Sequence, residues 1–171
     1  MKRMILLSLF CLAGIVMANA QRFALIDMEY IMENIPEYQQ ANNELELASQ
    51  QYQKAVEAKA KEAEALYLAY QKAANTLSAT QRTQKEEAIV AKEREAAELR
   101  KKYFGPEGEM AQKQEALIAP IQNRIYEVVK QISTQKGYDA VIDRASATSI
   151  IFASPRIDIS NEVLVKLGYS N

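Results

Sequence analysis

The sequence predicts an α+β protein in which a small strand-bearing body carries one long antiparallel helical hairpin. Three observations lead there. The middle of the chain is dominated by Ala, Gln, Glu and Lys, while the 171 residues include only five Gly and four Pro, a composition typical of long helices and coiled coils. Small and apolar residues in that region recur at steps of three and four from Tyr38 to Ile132, as they do along a helix–helix seam. Short apolar, β-branched runs occur only on either side of it, at Phe23–Ile26 and beyond Gly137, which is where strands are expected.

The first twenty residues read as an address. Lys2 and Arg3 precede an uncharged apolar run from Met4 to Met17, and Ala18-Asn19-Ala20 supplies the small-x-small site of a signal peptidase. The run is shorter than the ~20 residues needed to span a bilayer as a helix. Cleavage starts the mature chain at Gln21. Residues 21–27 then form a short strand ending at Asp27, an apt N-cap for a helical turn through Tyr30, Ile31 and Met32. Pro36 suits the first position of the next helix, where its missing N–H costs nothing.

From Tyr38 to about Asn75 nothing breaks a helix. Tyr38, Ala41, Leu45, Ala48, Tyr52 and Ala55 form the seam. Lys59 interrupts it, and it resumes at Ala63, Leu66, Tyr70, Ala73 and Leu77. At ~1.5 Å per residue this helix is about 55–60 Å long. Asn75-Thr76-Leu77-Ser78 is the turn, and Ser78 with Gln81 matches a capping box that starts the return helix. That helix passes Ile89, Lys92, Ala96, Leu99 and Tyr103 to an interruption at Phe104-Gly105-Pro106-Glu107-Gly108. The pattern continues through Met110, Leu117, Ile121, Ile125, Val128 and Ile132 to Gly137, a suitable C-cap. Pro120 is expected to mark a second bend. The arm therefore covers 36–120 with its tip near 75–80, and the body takes 21–35 and 121–171.

In the body, Tyr138–Asp143 and Ser149–Ala153 read as a β-hairpin turning at Arg144–Thr148, with Arg156–Ile159 as an extension past Pro155. Ser160 is expected to cap a closing helix through Val163, Leu164 and Leu167, stopped by Gly168. A few short strands make a meagre core for one chain. Sharing that core between several chains is the economical solution.

Composition narrows the chemistry. There is no His, and the one cysteine, Cys11, lies inside the export signal. The mature chain thus lacks a thiol nucleophile, a disulfide and the commonest general base and metal ligand. No catalytic, cofactor or metal residues are predicted. Removing Lys2 and Arg3 leaves 19 basic against 22 acidic residues, so no concentrated basic face for nucleic acid is expected. Asp27, Asp139 and Asp143 fit strand-end capping better than a hydrolytic carboxylate pair.

The chain resembles the Skp/OmpH family of periplasmic chaperones along essentially its whole mature length. The resemblance is carried by Phe23-Ala24-Leu25-Ile26-Asp27-Met28, by Leu77-Ser78 with Arg82 and Lys85-Glu86-Glu87 at the tip, and by Pro120-Ile121-Gln122 with Ile125. Gly137-Tyr138-Asp139-Ala140-Val141-Ile142-Asp143 and Asp158-Ile159-Ser160 complete it. It implies a homotrimer whose strands build a small β-barrel, with three hairpin arms around a cavity. It also implies ATP-independent capture of unfolded outer-membrane proteins in the periplasm, in keeping with the lack of a Gly-rich lysine loop for nucleotide.

On that basis Phe23, Leu25, Val141, Ile142, Ile150, Ile151 and Phe152 are expected to form the shared barrel core. Apolar residues off the arm seam, Leu47, Val56, Tyr67, Leu68 and Val90, are the candidate client contacts. Lys72, Arg82 and Lys85 form a basic tip suited to a weak membrane-surface contact, although family members tend to be basic and this chain is slightly acidic. A structural spacer of the cell envelope is the other reading the arms permit.

Overall fold

The computed structural model describes residues 21–147 and 149–169. The expected export signal at 1–20 and Thr148 of the expected hairpin turn lie outside the described residues. The elements run β1 (Phe23–Ile26), α1 (Met28–Glu33), α2 (Pro36–Ala73), α3 (Ala79–Phe104), α4 (Glu109–Lys136), β2 (Ala140–Asp143), a 3-10 turn (Pro155–Ile157) and α5 (Ser160–Leu167). They fall into two compact units, one of residues 32–125 and one of 21–31 with 126–169. None of the helices described is long and apolar enough to cross a membrane.

The 32–125 unit is the helical hairpin. Pro36 opens α2 with extended backbone at Ile35 before it. At the far end the Thr76 N–H and hydroxyl both donate to the Ala73 carbonyl, at 2.9 and 2.8 Å, and tie off the last turn. The capping box is formed: Ser78 Oγ accepts from the Gln81 N–H, and Gln81 Oε1 accepts from the Ser78 N–H. Along the hairpin, Ala41, Ala48, Val56 and Ala63 of α2 are buried, as are Ile89 and Ala96 of α3. Small side chains let the backbones approach closely but bury little apolar area, at ~25 cal/mol per Å².

Gly105 and Gly108 make the break between α3 and α4. A Cβ on Gly105 would collide with the Lys101 carbonyl oxygen, and one on Gly108 would meet Tyr103 O at 2.8 Å and Lys102 O at 2.9 Å. Glycine is needed here for space, since neither residue has positive φ. The expected second bend does not end a helix: α4 continues through Pro120. Pro120 faces solvent and removes only one backbone hydrogen bond, while the next turn is held by buried Ile121 and Ile125.

The other unit corrects the strand pairing. β1 and β2 pair in parallel, with Phe23 opposite Ala140 and Ile26 opposite Asp143. Parallel neighbours need a long crossover, and here the helices from α1 to α4 are that crossover. The hairpin expected between 138–143 and 149–153 is absent, and the described residues of 149–153 carry no strand. Asp143 explains the turn away: its carboxylate accepts from the Ala145 N–H at 3.1 Å, and Ser146 Oγ donates to its carbonyl. Residues 155–157 form the 3-10 turn rather than a strand extension, as Pro155 has no N–H for a ladder. The chain then returns to the free edge of β1 through a bridge at Asp158, with the Ile159 N–H on the Leu25 carbonyl at 2.9 Å.

Ala24, Leu25 and Ile26 are buried with Met28, Ile31, Ile132, Ile159, Val163 and Leu164. Strand-end carboxylates organise the rim. Asp27 accepts from the Tyr30 N–H at 2.9 Å as the expected N-cap and pairs with Arg144 at 3.0 Å. Asp139 accepts from the Arg22 N–H, and Asp143 from the Met28 N–H. Burial pushes the Asp143 carboxyl up, but the Met28 N–H, Ser146 and the Ala145 N–H outweigh it and hold the group below its ordinary value.

Ser160 is the first residue of α5 rather than its cap. Its hydroxyl accepts from the Asp27 N–H and donates to the Asp158 carboxylate, at 2.9 and 2.6 Å. Gly137 and Gly168 end their helices with φ of +66° and +93°, the left-handed conformation that glycine adopts without cost.

Candidate functional site

The functional surface predicted from the sequence is the hairpin itself. Near the Gly105–Gly108 break, Tyr52 of α2 stacks on Tyr103 of α3, with ring centroids 4.1 Å apart and planes 8° from parallel. Phe104 meets Tyr52 edge-on at 6.3 Å. Such pairs add to the burial of their area. The Tyr52 hydroxyl donates to Glu109, which lowers the Glu109 pKa, and Lys102 lowers it further from 3.1 Å. The same hydrogen bond to Glu109 raises the Tyr52 phenol above its ordinary value. Lys113–Glu44 at 3.6 Å and Arg124–Glu37 at 3.3 Å tie α4 to α2.

Midway along the arm, where Lys59 interrupts the apolar seam, a four-charge ring takes its place. Lys59 contacts Glu62 at 3.0 Å and Glu95 at 3.9 Å, and Lys92 contacts Glu95 at 2.8 Å and Glu62 at 3.5 Å. Each helix supplies the same Lys-x-x-Glu pair, so the antiparallel arrangement matches opposite charges across the interface. The Lys59 hydrogen bond lowers the Glu62 pKa, and the Glu95 hydrogen bond raises that of Lys92. Sequence reasoning missed this ring because charges of both signs on a helix read as a solvated face. The repeated Lys-x-x-Glu at 59/62 and 92/95, equidistant from the turn, is the signal that marks it.

Among the candidate client contacts, Leu47, Tyr67, Leu68 and Val90 are exposed. Val56 is not: at 6% exposure it is packed at the seam between α2 and α3, so the expected open side chain is corrected to a buried one. Lys72, Arg82 and Lys85 are all exposed near the turn. Beside them the Tyr70 hydroxyl donates to Glu86, which raises the Tyr70 phenol above its ordinary value.

Of the residues expected in a shared core, Leu25 is buried within this one chain, while Val141 and Ile150 are half-buried. Phe23 and Ile142 are exposed, Ile151 is fully exposed and Phe152 is 85% exposed.

Against known protein families, residues 22–167 match the model of the OmpH-like outer membrane proteins. The chain belongs to the OmpH-like family. It is 26% identical over 153 residues to the chaperone protein Skp of Yersinia enterocolitica, covering 90% of each chain. The fold is similar to the crystal structure of an OmpH-like protein from Caulobacter crescentus, with a TM-score of 0.66 at 12% identity, covering 88% of this chain and 86% of that one. The OmpH-like match therefore spans both the hairpin and the strand-bearing unit.

Proposed function

We propose that this OmpH-like protein is an ATP-independent holding chaperone of the periplasm. It captures unfolded outer-membrane proteins between helical arms and prevents their aggregation. The observation that carries the reading is the long, thinly packed hairpin of a family member related to Skp, with single apolar side chains such as Leu47, Tyr67, Leu68 and Val90 left open along it. Many weak apolar contacts suit a holdase, which must release its client by mass action.

The working form is a homotrimer. Phe23, Ile142, Ile151 and Phe152 are exposed in one chain, and such apolar exposure supports a core shared with further copies. Leader, compartment and assembly belong to the same reading: residues 1–20 direct export, and the mature chain begins at Gln21.

The test is dilution of a urea-unfolded outer-membrane β-barrel protein into buffer, with and without the mature chain and without nucleotide. Suppression of light scattering at stoichiometric ratios supports the proposal. Unchanged aggregation in the presence of the folded protein refutes it.

A further inference from the structure

The two edges of the hairpin differ in chemistry. On the edge that holds Lys59, Glu95, Glu98 and Lys102, the carboxylates are spoken for: Glu95 pairs with Lys92, and Glu98 with Arg94 at 2.8 Å. The other edge is a groove of about 550 Å³ floored by Val56, Ala60, Ala63, Ala96 and Ala97. It runs into a neighbouring hollow that shares Val56 and Arg100 and reaches Phe104. Tyr67 lies at the tip-ward end and Phe104 at the other, both exposed. From Gln53 to Tyr67 the trough is about 21 Å long at ~1.5 Å per residue, room for about six residues of extended chain at ~3.3 Å each.

Its rim is negative. Among the described residues that line it, Glu57, Glu64 and Glu93 stand against a single cation, Arg100. Among the described residues none of the three glutamates has an ion-pair or hydrogen-bond partner, unlike the carboxylates of the opposite edge. Apolar floor, aromatic ends and unneutralised carboxylates together define the complement: an extended apolar segment that carries lysine or arginine.

Resting on the chaperone reading above, we propose that this trough is where the arm grips its client, and that it selects apolar stretches of unfolded polypeptide bearing cationic side chains. Tyr67 reaches the segment from α2. Val90 lies on the same stripe of α3 as Glu93, Ala97 and Arg100, by steps of three and four. Leu47 and Leu68 do not line the trough, so they contribute less.

The experiment uses the mature chain and two labelled peptides of about twelve residues, long enough to overfill the trough. Both are rich in Val, Leu and Tyr; one carries three lysines and its twin three glutamates. Exposed ion pairs are each worth a factor of about 1.5–5, so by fluorescence anisotropy at low salt the lysine peptide binds about tenfold more tightly. The E57Q/E64Q/E93Q variant, altered only at trough-rim side chains, brings the two within about twofold. So does high salt for the unaltered chain, because screening shortens the reach of these charges. Equal binding of the two peptides, or a preference that survives the triple substitution, overturns the inference. The aggregation assay run in parallel separates the two failures. Suppression without charge preference removes only the trough's selectivity, whereas no suppression by the unaltered chain removes the chaperone reading and this inference with it.

Discussion

Replacing Gly108 with Ala tests whether the break between α3 and α4 is set by space. The added Cβ would stand 2.8 Å from Tyr103 O, 2.9 Å from Lys102 O and 2.9 Å from Gly105 N, roughly half an ångström or more inside ordinary contact. All three are backbone atoms. The Gly108 N–H is bonded to Gly105 O and its carbonyl receives the Gln112 N–H, so relief requires the whole turn to shift. Over-packing of this kind costs about 1–3 kcal/mol. Reduced freedom of the unfolded chain returns about 0.4–1 kcal/mol, for a net loss of about 1–2 kcal/mol. In a chain of this size each kcal/mol moves the melting temperature by about 2–4 °C. Thermal unfolding followed by circular dichroism at 222 nm should therefore fall by several degrees, with faster amide exchange over residues 101–108. Gly168→Ala is the contrast: nothing lies within 4 Å of its Cβ, and only its φ of +93° opposes the substitution. A Gly108→Ala protein that melts at or above the original temperature would refute the spatial argument.

The exposed apolar side chains of the strand-bearing unit make a separate prediction. Phe152→Asp should leave the chain folded, since Phe152 is 85% exposed within it, and should dissociate the proposed trimer by burying an unpaired charge. Ile142→Asp should do the same. Sedimentation velocity reads both, and a stable trimer with unchanged mass would remove these residues from the shared core. Stability should also depend on pH at both extremes. Glu62, Glu109 and Asp143 are held below their ordinary values, so their contribution is present above pH ~4.5 and lost as pH falls through the lowered folded values. Tyr52, Tyr70, Lys92 and Lys102 are raised, so theirs is present below pH ~10 and lost as pH rises through the raised ones. Melting temperatures should plateau between about pH 5 and 9 and drop on either side; a flat profile from pH 6 to 3 would contradict the acidic arm of this account.

The arm was legible in the sequence because its signals are local. Ser78 and Gln81 satisfy each other within one turn, Gly105 to Gly108 interrupts a helix where nothing else does, and Gly137 and Gly168 take the left-handed φ that ends one. The sheet was not legible for the opposite reason. Val141 and Ile142 report that a strand packs, but not on which neighbour, and residues 144–147 turn equally well into a hairpin or away from one. The choice lies with Asp143 and with a β1 edge more than a hundred positions away in the chain. Val56 shows a subtler failure. A 3.6-residue helix drifts against a 3.5-residue seam, so positions 55 and 56 both border it, and the seam takes the larger side chain. The acidic trough escaped for a related reason: Glu57, Glu64 and Glu93 resemble any solvated glutamates until the facing helix shows which edge they share.

The most direct measurement of the central claim is the mass of the complex formed when the mature chain meets a urea-diluted outer-membrane β-barrel protein, by light scattering after size exclusion in nucleotide-free buffer. The account predicts a soluble species of three chains with one client, and clear solution where the client alone precipitates. A well-folded assembly that elutes at its own mass beside an aggregated client would contradict it.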